Sequence, residues 1–398
     1  MKKNLITLAV ASTLATAMVS APAFADTSNV TVYGFANLSY DLTNNGVVGA
    51  NKVSSTQSRL GLKGSEDLGD GLSAIWQLEQ GINIDNSGAA GNGLATRNSF
   101  LGLSSGSAGT VLLGRHDTPY KIASRSFDVF ADTIADNRSL MGGVSLVNTG
   151  AVPLPVAAAL VTPANSDFSA GSTFDGRQGD VVAYISPAMS GLTGAIAYVA
   201  GAEGALAGQS KGSAWSLAGL YGNGPLSVNL GYEVHDIGEA AGTLGTGGAA
   251  GSLGTLTEKA WKIGASYTMD AFTINGVYEK TSDNFGVLVA APAGTDILGH
   301  KAYYLSGKYS FGNDAVKLAY TNMGDRNMAG GGANTGATHW ALGYDHNMSK
   351  RTALYALYTK LNNDTNSAFG LGVSTGATAA SGAGVGVSAW SFGMKHTF

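Results

Sequence analysis

The chain has 398 residues, a formal net charge of −4 and no cysteine. The slightly acidic balance argues against a nucleic-acid-binding protein, and the lack of Cys excludes disulfides and Cys-ligated metals. The 58 glycines are accompanied by 16 Tyr, 13 Phe and 5 Trp, which excludes a disordered low-complexity chain because such chains contain few aromatic residues.

The first 25 residues have the features of a secretory signal peptide. Met1–Lys3 is basic, residues 5–19 are mostly apolar and uncharged, and residues 23–25 (AFA) fit a small-x-small cleavage site. We therefore predict a signal peptide over residues 1–25 and a mature chain over residues 26–398. An N-terminal membrane anchor is the alternative, which the short apolar core disfavours.

The rest of the chain alternates between apolar and polar residues with a period of two. In residues 259–268 (KAWKIGASYT), every second residue from Trp261 to Tyr267 is apolar, and polar or small residues lie between them. This pattern predicts β-strands with one apolar face and one polar face. Sixteen candidate strands begin near residues 30, 51, 71, 96, 109, 177, 192, 213, 225, 258, 271, 299, 313, 337, 351 and 387.

The connections between these strands alternate strictly between long and short. Short connections such as residues 222–225 (GNGP) and 312–314 (GND) contain typical turn residues, whereas the third long connection covers about residues 116–175. Lys, Arg and Glu lie on the polar faces, and aromatic residues cluster at strand ends, as at a membrane interface. The sequence therefore predicts a 16-stranded antiparallel transmembrane β-barrel with its polar face inward.

The C-terminal residues 390–398 (WSFGMKHTF) form a strand that runs to the last residue. In a closed barrel the last strand pairs with the first, here near residues 30–42, because an unpaired strand edge is too costly in lipid. The chain can then end within a strand, and we expect Phe398 in the periplasmic aromatic girdle.

Four segments resemble the general diffusion porins of Gram-negative bacteria. They are residues 32–40 (VYGFANLSY), 58–79 (SRLGLKGSEDLGDGLSAIWQLE), 97–103 (RNSFLGL) and 109–120 (GTVLLGRHDTPY). The resemblance implies an outer-membrane homotrimer in contact with lipid and lipopolysaccharide, through which ions and small hydrophilic solutes diffuse passively without a cofactor. It also implies that Phe398 is the signal for the barrel-assembly machinery and that the third long loop folds into the pore.

The resemblance further implies a pore constriction between a basic wall and an acidic loop. Arg59, Arg97 and Arg177 match the basic wall positions, and the lipid-facing parity of Leu60 agrees with an inward Arg59. At the first-strand position where enteric members carry Lys, this chain has Phe35.

The acidic side of the constriction is assigned to the third loop. The segment SFDVFADTIADNRSL contains Asp128, Asp132 and Asp136, and their spacing of four predicts that they stack on one face of a short helix. The Pro-Glu-Phe-Gly-Gly motif common in this loop of the family is absent.

Other interpretations stay open at this point. Arg59 and Arg97 could instead be structural, paired with Glu79 or another wall carboxylate. The channel could have a preferred solute, for which inward rings such as Tyr304 would be the sign, or the barrel could be structural, adhesive or enzymatic. The G-x-S-x-G match at residues 102–106 lies at a strand end without a following helix, so we attribute it to chance and predict no enzyme activity.

Overall fold

The computed structural model describes residues 29–85, 94–142, 174–201, 212–241, 252–286, 291–292, 294–327, 332–372 and 377–398. The predicted signal peptide lies outside these residues. The strands are β1 Thr31–Asn44, β2 Gly49–Ser55, β3 Arg59–Gly69, β4 Leu72–Gly81, β5 Ser99–Ser105, β6 Gly109–Asp117, β7 Arg177–Ile185, β8 Leu192–Val199, β9 Ser213–Asn223, β10 Leu226–Ala241, β11 Ser252–Met269, β12 Phe272–Asp283, β13 Lys301–Phe311, β14 Asp314–Met323, β15 Ala337–Asn347, β16 Thr352–Asn363 and β17 Val387–Thr397.

These segments form one closed antiparallel barrel. β2 pairs with the second half of β1 and β3 pairs with its first half, so the two segments are halves of a single barrel strand interrupted at residues 56–58. β17 pairs with β1 from Phe35↔Thr397 to Asn44↔Ser388 and closes the sheet. The described residues therefore form a 16-stranded barrel, as the sequence predicts.

The predicted ending of the chain within a paired strand is also confirmed. The amide of Phe398 donates to the carbonyl of Gly34 at 3.1 Å, and the amide of Gly34 donates to the carbonyl of Phe398 at 3.3 Å. The side chain of Phe398 is exposed on the outer surface. Backbone pairing thus extends to the last residue, so no free strand edge remains at the closure.

The two faces of the strands differ as the alternating pattern predicts. Along β11, Trp261 and Tyr267 are exposed on the outer surface, while Lys262 is buried on the inside. Trp261 lies toward the long-loop end and contacts Tyr278, whereas Tyr267 lies two residues from the short turn after Met269. Rings therefore mark both edges of an outward apolar band, the arrangement of a membrane-spanning barrel.

Long and short connections alternate around the barrel. The short turns connect β3 to β4, β5 to β6, β7 to β8, β9 to β10, β11 to β12, β13 to β14 and β15 to β16. The remaining connections therefore lie at the opposite end. No helix in the described residues is long and apolar enough to cross a membrane.

The third long loop follows β6 and contains the described helix α1, Pro119–Arg125. Thr118 caps this helix, because its hydroxyl accepts a hydrogen bond from the amide of Lys121, and Pro119 occupies a first-turn position where no amide donor is needed. The amide of Tyr120 donates to the hydroxyl of Ser216 at 2.9 Å, and the side-chain amide of Asn229 donates to the carbonyl of Ala123 at 2.9 Å. Since Ser216 and Asn229 lie on the inner faces of β9 and β10, the loop begins inside the barrel.

Candidate pore constriction

Two aromatic side chains fix the third loop against the inner wall at glycines. A Cβ atom placed on Gly264 would lie 2.3 Å from the ring of Phe127, and one placed on Gly343 would lie 2.6 Å from the ring of Phe130. Both rings are fully buried. The wall glycines thus provide the space into which the loop inserts, and any larger side chain there would displace a ring.

Buried polar contacts hold the same loop at its two ends. The two carboxylate oxygens of Glu279 accept hydrogen bonds from the hydroxyl of Tyr120 at 2.8 Å and from the amide of Gly142 at 2.8 Å. The ammonium of Lys262 lies 2.6 Å from a carboxylate oxygen of Asp175 and donates to Ser124 at 2.9 Å. Because all these side chains are buried, breaking one contact would leave a buried charge or donor unpaired.

The prediction that Asp128, Asp132 and Asp136 lie on a short helix is wrong. Helix α1 ends at Arg125, and the three aspartates follow it in a series of turns. Their carboxylates nevertheless converge, because each lies close to the guanidinium of Arg125: Asp128 at 3.7 Å, Asp132 at 2.8 Å and Asp136 at 2.8 Å. The cluster is thus organised by a shared arginine, and Asp128 and Asp136 accept backbone amides that would be committed to the backbone in a helix.

Asp132 is the member of this cluster that faces the opposite wall. Its carboxylate lies 3.2 Å from the guanidinium of Arg59 and 3.6 Å from the ammonium of Lys395, and its side chain keeps 17% of its surface exposed. Burial alone would raise the pKa of Asp132, but Arg125, Arg59 and Lys395 together lower it to about 2. The loop and the wall therefore meet at an ionised carboxylate among three cations.

The backbone at Asp132 is fixed as well. Its carbonyl accepts a hydrogen bond of 2.6 Å from the side-chain amide of Asn37, on the inner face of β1. Its φ of +63° lies in the left-handed region, which Asp and Asn adopt more readily than most residues. This contact fastens the tip of the loop to the wall next to Arg59.

The other two aspartates are buried within the loop. Asp128 accepts hydrogen bonds from the hydroxyl of Tyr304 at 3.0 Å and from the amide of Asn137 at 3.0 Å, and burial with the nearby Asp136 raises its pKa to about 6. Burial would also raise the pKa of Asp136, but Arg125 and Arg138 hold it well below its usual range. Tyr304, the predicted inward ring, does point inward but is covered by the loop, so it does not line the open lumen.

A lysine that the sequence analysis did not single out completes the basic wall. Lys395 of β17 and Arg59 of β3 lie over the ring of Phe35, at 4.0 Å and 4.3 Å from its centroid. Phe35 therefore supports two cations by cation–π contacts at the place where enteric relatives carry a lysine. The signal was present in the alternation of the last strand, where Lys395 lies opposite to the outward Trp390, Phe392 and Met394.

The predicted wall residue Arg97 lies two residues before β5 and Arg177 is the first residue of β7, and each pairs with an acidic residue. Arg97 lies 2.6 Å from Glu79 and donates to the side chain of Gln57 at 2.8 Å. Arg177 lies 2.9 Å from Asp117. The alternative of an Arg97–Glu79 pair is therefore confirmed, while Arg59 pairs with the loop instead of with the wall.

A closed barrel of 16 strands with a long loop anchored inside it and opposite charges across the gap is the architecture of a diffusion pore. A family profile described as Gram-negative porin matches residues 9–366, which is most of the chain. The chain belongs to the Gram-negative porin family.

Individual relatives agree with this assignment. Outer membrane porin protein 32 of Delftia acidovorans is 29% identical over the full length of both chains, and the major outer membrane protein P.IA of Neisseria meningitidis serogroup C is 28% identical over 87% of this chain and 84% of the relative. Among solved structures, the anion-selective porin from Comamonas acidovorans is 26% identical, has a TM-score of 0.71 and covers 94% of this chain and 100% of its own. The porin described here is therefore an outer-membrane channel for passive diffusion and not an enzyme.

Proposed function

We propose that Asp132, Arg59, Arg125 and Lys395 form the selectivity-determining constriction of this porin and that the constriction favours anions. The observation that carries the proposal is the contact of one partly exposed carboxylate with three cations. A net positive ring in a narrow aqueous passage attracts anions and repels cations. The anion selectivity named for the Comamonas acidovorans porin supports the same assignment.

The exposed fractions of the acidic and basic side chains also favour anions. Asp128 and Asp136 are nearly fully buried, with 1% and 0% of their side-chain surfaces exposed, whereas Lys395 keeps 37% and Arg125 keeps 23%. An ion in the lumen comes closer to an exposed charge than to a buried one, and the Coulomb energy falls with distance. The exposed cations therefore act more strongly on a passing ion than the buried carboxylates of Asp128 and Asp136 do. The overall charge of the chain is negative, so this preference is a property of the neck alone.

A planar-bilayer experiment tests the proposal. The purified, unheated protein is inserted into a lipid bilayer, and the reversal potential is measured in a salt gradient. We expect the reversal potential to have the sign that indicates anion preference, and we expect Lys395→Gln to reduce its magnitude. Lys280→Gln, at an exposed residue of β12, serves as the matched charge control, because four strands separate β12 from β17 in the sheet. A cation-selective wild-type channel would overturn the proposal.

We also propose that this porin is a homotrimer whose subunits meet at the outer faces of β3 to β6. The exposed large hydrophobic side chains on these four strands are all Leu or Val: Leu60, Leu62, Leu68, Leu72, Leu78, Leu101, Leu103, Val111 and Leu113. Trp76, half-buried on the outer face of β4, is an aromatic residue among them. The exposed faces of β11 to β15 instead carry several Trp, Tyr and Phe residues. Because lipid-facing surfaces carry aromatic rings at the membrane interfaces, a mostly aliphatic face is better suited to a protein neighbour. A solved porin from Vibrio cholerae with the same fold is described as a trimer form.

Single-cysteine cross-linking tests the trimer interface. The natural chain has no Cys, so Leu101→Cys introduces the only thiol. A short thiol-reactive cross-linker is expected to join Leu101→Cys subunits, whereas Leu305→Cys, on the exposed face of β13, stays uncross-linked. Equal cross-linking of both variants would contradict the interface.

Two further proposals concern export and assembly. The proposed signal peptide ends at Ala25, so mass spectrometry of the outer-membrane protein should give a chain that starts at Asp26. Phe398 is proposed to be recognised by the barrel-assembly machinery, and its deletion should lower the amount of folded protein in the outer membrane. Normal assembly without Phe398 would contradict the second proposal.

A further inference from the structure

Arg326 is a buried arginine that forms no ion pair with any carboxylate in the described part of the chain. It lies in the long loop between β14 and β15, and only 4% of its surface is exposed. Its Nη1 atom has no hydrogen-bond partner among the described residues, and no described carboxylate forms an ion pair with it. Its guanidinium carbon lies 5.4 Å from the ring centroid of Phe369.

This arrangement is unfavourable unless something else compensates the charge. A guanidinium carries five N–H donors and stays charged in proteins, and removing it from water costs several kcal/mol. Burial lowers the pKa of Arg326 to about 10, so the group is still cationic at neutral pH. A single cation–π contact is weak by comparison and does not offset this cost.

Among the described residues, no carboxylate of the surrounding outer loops forms an ion pair with Arg326. Asp325 accepts hydrogen bonds from the amides of Thr335 and Gly336, and Asp283 accepts from several loop amides. The parts of the three neighbouring long loops outside the described residues, 287–290, 328–331 and 373–376, contain no Asp or Glu. The described carboxylates of these loops therefore leave the guanidinium without a direct oxygen partner.

A second buried group in the same region has unused hydrogen-bonding capacity. The Nε2 atom of His300 is buried and has no partner among the described residues. Its Nδ1 atom lies 3.0 Å from the hydroxyl of Thr281 and 3.1 Å from the carbonyl of Leu298. With Thr281 donating to Nδ1, the neutral ring carries its proton on Nε2 and presents a hydrogen-bond donor there. His300 and Arg326 lie on neighbouring chain segments, because the amide of Gly324 donates to the carbonyl of Lys301 and the amide of Asn327 donates to the carbonyl of Gly299, both at 2.9 Å. Burial lowers the pKa of His300 to about 4, so its ring is neutral at about pH 7.

We propose that Arg326 holds a small oxyanion, such as phosphate, sulfate or a solute carboxylate, within the outer loops of this porin. The planar guanidinium fork matches two oxygens of such an anion, and the anion would supply the missing charge. His300 is positioned to interact with the same anion. The inference stands apart from the constriction, because none of the residues at the neck takes part in it.

Binding of radiolabelled inorganic phosphate by equilibrium dialysis tests this site. The folded trimer is compared with Arg326→Met, which keeps the approximate length of the side chain and removes its charge. Arg351→Met is the matched control, because Arg351 is an exposed arginine at a short turn on the opposite end of the barrel. We expect the wild type and Arg351→Met to bind one more phosphate per chain than Arg326→Met.

Thermal stability gives a second readout with opposite signs for the two outcomes. If the anion is held, phosphate raises the apparent Tm of the wild type by about 2 °C or more, and by less in Arg326→Met. Equal phosphate stoichiometry in all three proteins, with Arg326→Met more heat-stable than the wild type in phosphate, would overturn the proposal. If Arg326→Met does not fold, Arg326→Lys is compared instead, and it is expected to bind phosphate about tenfold more weakly because the fork is lost.

Discussion

Replacing Asp132 with Asn changes the charge at the neck of this porin with little change in shape. Asn keeps the backbone carbonyl that accepts a hydrogen bond from Asn37, and it tolerates the φ of +63° found at this position. What is lost is the negative charge that lies 2.8 Å from Arg125, 3.2 Å from Arg59 and 3.6 Å from Lys395. Arg59 and Lys395 then lose their carboxylate partner, while Arg125 keeps Asp128 and Asp136.

The size of the effect follows from the Coulomb energy of a passing ion. For an ion about 5 Å from the lost carboxylate in a water-like medium, the interaction is about 0.8 kcal/mol, or about 0.5 kcal/mol after screening in about 0.1 M salt. This energy changes the local concentration of each ion about twofold, in opposite directions for anions and cations. We therefore expect the anion-to-cation permeability ratio of Asp132→Asn to rise about fivefold over the wild type.

The assay is the reversal potential of single insertions in a salt gradient, with conductance recorded to confirm an open pore. Asp128→Asn is the matched control, because it makes the same change in sequence at a carboxylate with only 1% of its side-chain surface exposed. We expect a clearly smaller shift for Asp128→Asn than for Asp132→Asn. If Asp132→Asn conducts normally with an unchanged reversal potential, Asp132 does not face the path of the ions.

Three further measurements address the loop and the wall. Gly343→Ala is expected to displace the ring of Phe130, lower the free energy of unfolding by about 1–3 kcal/mol and raise single-channel conductance. Gly219→Ala is the control and should leave conductance unchanged, because no atom lies within 4 Å of the added Cβ. Equal conductance in the two variants would contradict the anchoring role of Phe130. Lys395→Gln should lower the anion-to-cation permeability ratio about fivefold, and a similar shift in Lys280→Gln would mean that the effect is not local. Because the pKa of Asp132 is lowered to about 2, its carboxylate is charged above that pH. The difference in reversal potential between the wild type and Asp132→Asn should therefore persist from about pH 7 to about pH 4. Loss of this difference near about pH 5 would show that the three cations do not lower the pKa of Asp132.

The barrel could be predicted from the sequence because its determinants are local. Alternation with a period of two decides which side chain faces lipid, and turn residues decide where one strand ends and the next begins. Closure between the first and last strands follows from an even number of strands and from the cost of an unpaired edge in lipid. The predicted inward direction of Arg59 depends on the same parity and agrees with the structure, since Leu60 and Leu62 are exposed outside.

The constriction depended on contacts between residues far apart in the chain, which spacing does not encode. A spacing of four suggested a helix for Asp128, Asp132 and Asp136, but the aspartates follow the helix and converge because Arg125 attracts all three. Lys395 reaches the neck only because the last strand pairs with the first, which brings its ammonium over the ring of Phe35. The sequence by itself determined the barrel, its orientation of faces and the length of the third loop, and the resemblance to porins implied that this loop enters the pore. Only the tertiary structure decided which charges meet at the neck, because the loop's position is set by buried rings at wall glycines and by ion pairs formed across the lumen.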